Sequence, residues 1–188
     1  MRRFLKRVFT KMQHFYRDSD WKNAAILERK TANEIIRISE ETLSIKFVGF
    51  GAGQEGKIED KDYRPDRPLD ILVKRALDDK HIAIVEVQSN PNYTFKTSGD
   101  FPIPAHKVER AKKLVLQCYH VFYLAKNYEE VFWLPYLIIK KYPYRESIGF
   151  VHGLPVSRNT CWVPKDLWQE GLESLVQELI KVAKINGS

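Results

Sequence analysis

Two acidic residues stand inside apolar runs, where an uncompensated carboxylate is expensive. One is Asp70, in Pro68-Leu69-Asp70-Ile71-Leu72-Val73. The other is Glu86, in Ile84-Val85-Glu86-Val87-Gln88. A buried carboxylate needs a partner charge or a metal to offset its lost hydration. Two such residues close together point to a shared purpose, a divalent cation held between them. Taken singly, each has a plainer reading: Asp70 as a turn cap, Glu86 as a buried acid paired with a lysine.

Residues 69–76 and 80–88 read as two strands rich in Ile, Val and Leu, joined by a polar turn around Leu77-Asp78-Asp79-Lys80. Side chains alternate faces along a strand, so Glu86 and Gln88 share a face with Ile82 and Ile84, while Val85 and Val87 point the other way. With Leu77–Asp79 as the loop and Ala76 opposite Lys80, Asp70 falls opposite Glu86. Directly opposed residues have Cβ atoms ~5 Å apart, close enough to share an ion. A loop shorter by one residue would turn Asp70 to the wrong face.

The elements around this hairpin are legible in outline. Asp18-Ser19-Asp20 caps a helix predicted over 20–40, with Trp21, Ala24, Ala25, Glu28, Ala32 and Ile35 on one stripe. Glu28 interrupts that apolar stripe, and reads equally as a site residue or as the partner of a nearby Arg or Lys. A strand is expected over Leu43–Phe50, followed by a glycine-rich loop, Gly49–Gly56. That loop lacks the Lys-Ser/Thr ending of a phosphate-binding loop. Pro104 opens a helix over 105–117 carrying His106, Lys107, Arg110, Lys112 and Lys113. Further strands are expected over Tyr119–Leu124 and Val131–Ile139, the second running into the basic, aromatic tract Lys140–Arg145. An amphipathic helix is expected over 165–184. The order implies one α/β domain over 1–188 with a mixed sheet flanked by helices.

Residues 1–17 carry six basic residues and no acid, with apolar residues at helical spacing. This predicts an extra basic amphipathic helix at the N-terminus. It could dock on the core, face phosphates, or lie on a membrane surface, and it has no apolar core of a secretory signal. No run is long and apolar enough to span a bilayer. The chain has 188 residues, and 31 basic against 24 acidic side chains give a net charge of +7. That balance favours polyanionic partners, nucleic acid first. Cys118 and Cys161 make no disulfide framework and no Cys-based metal site, as expected of core residues in a cytoplasmic or other reducing compartment. His14, His81, His120 and His152 lack ligand spacing.

A helix with an acid, an Asp opening a strand, a Glu-x-Lys-like triplet on the next strand, and then a helix together resemble the PD-(D/E)XK nuclease superfamily. Its fold is restriction-endonuclease-like. Residues 20–125 carry the match. Asp70 matches the first acid and Glu86 the second, while Gln88 stands where the family has lysine. Glu28-Arg29 is similar to the Glu-Arg of archaeal Holliday-junction resolvases, and Asp66 matches the letters Pro-Asp without a strand behind it.

The resemblance implies a metal-dependent DNA nuclease, in particular a structure-selective endonuclease acting as a homodimer, with no membrane and no small-molecule cofactor. Mg²⁺ or Mn²⁺ would be held by Asp70, Glu86 and the Val87 carbonyl, with Glu28 as a further acid. The ion would polarise the phosphate and supply a hydroxide-like nucleophile. Gln88 can orient water but carries no positive charge. Either Gln88 suffices, or a cation enters from elsewhere, Lys107 first and Lys96 second; the plainer reading of Lys107 is a phosphate contact or a solvated surface charge. Lys96, Arg110, Lys112, Lys113, Lys140, Lys141 and Arg145 are candidate DNA contacts, and equally solvated surface charges. A nuclease of the same fold acting on RNA, or a catalytically inactive nucleic-acid-binding module, is the rival expectation.

Overall fold

A computed structural model describes residues 26–47, 70–89, 100–117, 119–127, 129–151 and 154–185. The basic segment 1–17, the glycine-rich loop, Asp66, Lys96 and Cys118 lie outside the described residues. Helix α1 covers 26–38. Then come β1 (Leu43–Phe47), β2 (Ile71–Arg75), β3 (His81–Ser89), β4 (Phe101–Pro104), α2 (Ala105–Leu116), β5 (His120–Lys126) and β6 (Val131–Pro135). They are followed by a single helical turn α3 (Tyr136–Ile139), β7 (Tyr144–Val151), β8 (Leu154–Val163), β9 (Gln169–Glu170) and α4 (Leu172–Ile185).

A six-stranded sheet runs β1-β2-β3-β5-β6-β9, and a three-stranded sheet runs β4-β8-β7. In the larger sheet, β3 and β5 pair in parallel and the other neighbours are antiparallel. A parallel neighbour needs a crossover connection, here through β4 and α2. The sheet is therefore mixed and covered by helices on both faces, as the sequence led us to expect.

The β3 run Ile82–Val87 is buried throughout because both faces are covered. On one face α1 and α4 pack Ala32, Ile35, Leu175 and Leu179 against Ile71, Val73, Val85 and Leu124. On the other, α2, α3 and the smaller sheet pack Val108, Ala111, Ile139 and Cys161 against Leu72, Ile84, Tyr123 and Leu134. Cys161 is a free, buried thiol, and its burial raises its pKa.

The hairpin reaches its register by an unexpected route. The loop is Ala76–Asp79 rather than Leu77–Asp79, with Asp79 in a left-handed conformation at φ 58°. Arg75 donates its N–H to Lys80 O at 2.9 Å. That loop alone would move every later pair by one residue. A shift between Val73 and Lys74, with Lys74 opposite His81 but Val73 opposite Ala83, leaves Ile82 as the extra residue of a bulge. The shift restores Leu72 opposite Ile84 and Ile71 opposite Val85. It also moves Ile82 into the core on the α1–α4 face, away from the face of Ile84 on which the sequence had placed it.

Three other expectations change. Val131–Ile139 is not one strand: Pro135 has no N–H to continue the ladder, and α3 follows it. The helix expected over 165–184 begins only at Leu172. Lys165–Leu167 form a 3₁₀ turn, and Gly171, at φ 90°, turns the chain while donating its N–H to Val131 O. The hairpin of β7 and β8 was not anticipated at all. Among the described residues no helix is long and apolar enough to cross a membrane.

Candidate functional site

The site lies where β2 begins. Asp70 occupies a bend immediately before β2, one step beyond the pair Ile71–Val85, so it sits opposite Glu86. Its Oδ2 accepts the Val87 N–H at 2.9 Å, which places the carboxylate where the next strand partner of Val87 would be. In an antiparallel ladder a residue turns its N–H and C=O toward the same neighbour, so the Val87 carbonyl faces that same gap. Glu86 is buried, 2% exposed, and alternation sends it to the α2 face, next to Tyr123 on β5.

Helix α2 supplies the counter-charge. Pro104 is its N-cap, and Lys107 lies in its first turn. The Lys107 Nζ forms an ion pair with Glu86 Oε1, with about a quarter of the lysine side chain exposed (24%) and Glu86 nearly enclosed (3%). Tyr123 donates its hydroxyl to the Lys107 carbonyl at 2.7 Å, fixing the start of the helix over the sheet. Burial, and then the Glu86 charge, raise the Tyr123 pKa well above its usual value, so the hydroxyl stays a donor.

Three acids and the Lys107 ammonium set the electrostatics among the described residues. Burial first, then Glu86 and Glu28, push the Asp70 pKa well above the carboxylate range, against the opposing pull of Lys107 and the Val87 N–H. Burial works against the charge on Lys107, but Glu86, Asp70 and Glu28 outweigh it and its pKa is raised. Glu28, on α1, is 5% exposed, and its charge is felt by both Asp70 and Lys107. Glu28, Asp70, Glu86 and Lys107 therefore act on one another electrostatically.

Gln88 does not share this role. Its Nε2 donates to the Pro102 carbonyl on β4 at 3.4 Å, and its Oε1 is buried without a hydrogen-bond partner among the described residues. The amide ties β3 to β4, while the positive charge comes from Lys107.

Among the described residues no three His, Cys, Asp or Glu side chains converge closely enough to hold a metal ion. The donor set is narrower: two opposed carboxylates and the Val87 carbonyl. It suits an ion such as Mg²⁺, which takes one or two carboxylates and keeps several waters.

The remaining candidates lie on α2, after α3 and on β7. Lys112 and Lys113 are exposed on α2, Lys140 and Lys141 follow α3, and Arg145 is exposed on β7; Arg110 is half-buried. Two features escaped the sequence reading. Tyr123 orients Lys107 through its carbonyl, and the only hint was a tyrosine on the same strand face as the apolar core. The Tyr144 hydroxyl donates to Glu109 Oε1 at 2.6 Å across α2 and β7, which needed the unforeseen β7. Burial and then Glu109 raise the Tyr144 pKa. No protein-family model matches the chain, and no curated protein matches it.

Proposed function

We propose that the protein is a metal-dependent nuclease of restriction-endonuclease-like fold acting on DNA, as a structure-selective endonuclease of junction-resolvase type that works as a homodimer. The observation that carries this reading is the Asp70–Glu86–Lys107 cluster at the start of β2, built around the buried Glu86. It supplies the two opposed acids of the PD-(D/E)XK pattern. It also supplies a lysine from α2 that stands in for the missing motif lysine. An acid-bearing helix before these strands, Glu28 on α1, supports the same reading.

Asp70, Glu86 and the Val87 carbonyl would hold Mg²⁺ or Mn²⁺. When bound, such an ion polarises the scissile phosphate and lowers the pKa of water. The chain's own residues do the rest. Lys107 presents its ammonium beside the acids, where it offsets charge developing on the phosphate oxygens. Tyr123 and Glu86 hold that ammonium in place. Water attacks phosphorus and gives up a proton to solvent, the bond to the 3′ oxygen breaks, that oxygen takes up a proton from solvent as the 3′-hydroxyl, and the 5′-phosphate stays on the product. Lys112, Lys113, Lys140, Lys141 and Arg145 would take flanking phosphates, which give affinity but little sequence information.

Gln88 favours one second reading, a nuclease fold that binds nucleic acid without cutting it. Wild-type protein incubated with single-stranded, duplex, flap and four-way-junction DNA, with a matched RNA, separates the two. Mg²⁺-dependent cleavage of at least one DNA, abolished by chelation, supports the nuclease. Binding without cleavage of any substrate supports the inactive module.

A further inference from the structure

On the flank of α2 that carries Val108, Lys112 and Val115, α2, α3 and the start of β7 enclose a groove of about 460 Å³. Val108, Tyr136 and Tyr142 line its walls, and Lys112, Lys140 and Tyr144 lie along it. Tyr136 is buried, Tyr142 half-buried, and Tyr144 is 42% exposed, so only the last offers much of its ring to solvent. The hydrogen bond from Tyr144 to Glu109 fixes that ring and engages the one carboxylate in the lining. The Cys161 thiol lies 3.6 Å from the Tyr142 carbonyl and 3.7 Å from the Ile139 carbonyl, anchoring the tract that carries Tyr142.

We propose that this groove takes an unpaired nucleotide of the DNA substrate, with its base against Tyr144 and its phosphates on Lys112 and Lys140. The inference rests on the nuclease reading and deepens it, by making an unpaired stretch part of the substrate. Aromatic side chains beside a basic track are how proteins hold single strands without sequence preference. The volume lies in the range of small-ligand pockets. Charge agrees: the exposed Lys113, Lys141 and Arg145 belong to the same α2, α3 and β7 elements.

The test uses the full chain and a fluorescent oligothymidylate, with binding read by anisotropy in EDTA so that cleavage plays no part. Blunt duplex of the same length is the comparison. Tyr144→Ala should weaken oligothymidylate binding about 10-fold or more, in line with the loss of one stacked base. Tyr144→Phe should keep most of it. Duplex binding and the melting temperature should stay at wild-type values in both. Lys112→Glu with Lys140→Glu should weaken oligothymidylate binding further. Wild-type affinity in Tyr144→Ala and in the double lysine variant would overturn the proposal, as would a shift of either variant from dimer to monomer, which would make the groove a contact between copies. Nuclease activity is scored separately. Cleavage that persists with no effect of Tyr144 removes the groove alone, whereas stacking-dependent binding by a protein that never cleaves removes the nuclease and leaves the groove.

Discussion

Replacing Lys107 by methionine keeps the length of the side chain and removes its charge, leaving Glu86 without its ion-pair partner in a site where only 3% of the glutamate side chain is exposed. Breaking a buried pair from one side typically costs 3–5 kcal/mol. Lys107 retains 24% exposure, so the lower end applies, about 3 kcal/mol. For a chain of this size each kcal/mol moves the melting temperature by roughly 2–4 °C, giving a fall of roughly 6–12 °C. Adding Glu86→Leu to Lys107→Met removes the stranded charge and should restore most of the loss, because apolar replacement of both partners is often neutral. Chemical denaturation of the two single variants and the double variant in EDTA completes a double-mutant cycle. Mn²⁺ should then raise the melting temperature of Lys107→Met more than that of wild type, since the ion no longer shares the acids with an ammonium and binding to the native state alone is stabilising. A Lys107→Met protein within 0.5 kcal/mol of wild type, with no coupling to Glu86, would refute the reasoning.

Asp70→Asn keeps an acceptor for the Val87 N–H and removes a charge that the fold opposes. The native pKa of Asp70 is raised, so its stabilising protonation is fully present below the ordinary carboxylate value and is lost as pH rises through the raised native value. The metal-free variant should therefore melt higher than wild type at pH 8 and converge with it toward pH 4 in thermal scans; a lower melting temperature at pH 8 would count against the assignment. Gln88→Ala should leave cleavage within about 10-fold of wild type while Lys107→Met loses about 100-fold or more in single-turnover rate, the scale of losing one electrostatic stabiliser; the reverse order would return the charge-bearing role to position 88. DNA binding should fall steeply with added salt, and Lys140→Ala should reduce the slope of log affinity on log salt by about one.

How far the site was readable in the sequence depended on whether its physics is local. Two carboxylates inside Ile- and Val-rich runs are a local anomaly, and so is a proline opening a basic helix. Asp70, Glu86 and Lys107 were therefore all visible as candidates. The opposition of Asp70 and Glu86 was argued from a loop of Leu77–Asp79, yet the chain reaches it through a loop of Ala76–Asp79 and a bulge at Ile82. Two one-residue shifts offset each other, and nothing in the turn residues distinguishes that from no shift. The β7–β8 hairpin was hidden because its pairs, such as Glu146 with Asn159 and Ser147 with Arg158, are largely polar and lack a clean apolar alternation. Pro135 and Gly171 are the local signals for the breaks after β6 and before α4, since a missing N–H and a left-handed backbone end strands and helices whatever the hydrophobicity around them.

The most direct measurement is cleavage of end-labelled four-way-junction and flap DNA by wild-type, Asp70→Ala and Glu86→Ala proteins in Mg²⁺ or Mn²⁺, with EDTA as the metal-free control and circular dichroism to verify folding. Metal-dependent products are expected from wild type only. Undiminished cleavage by both folded variants, or cleavage by wild type that survives EDTA, would contradict it.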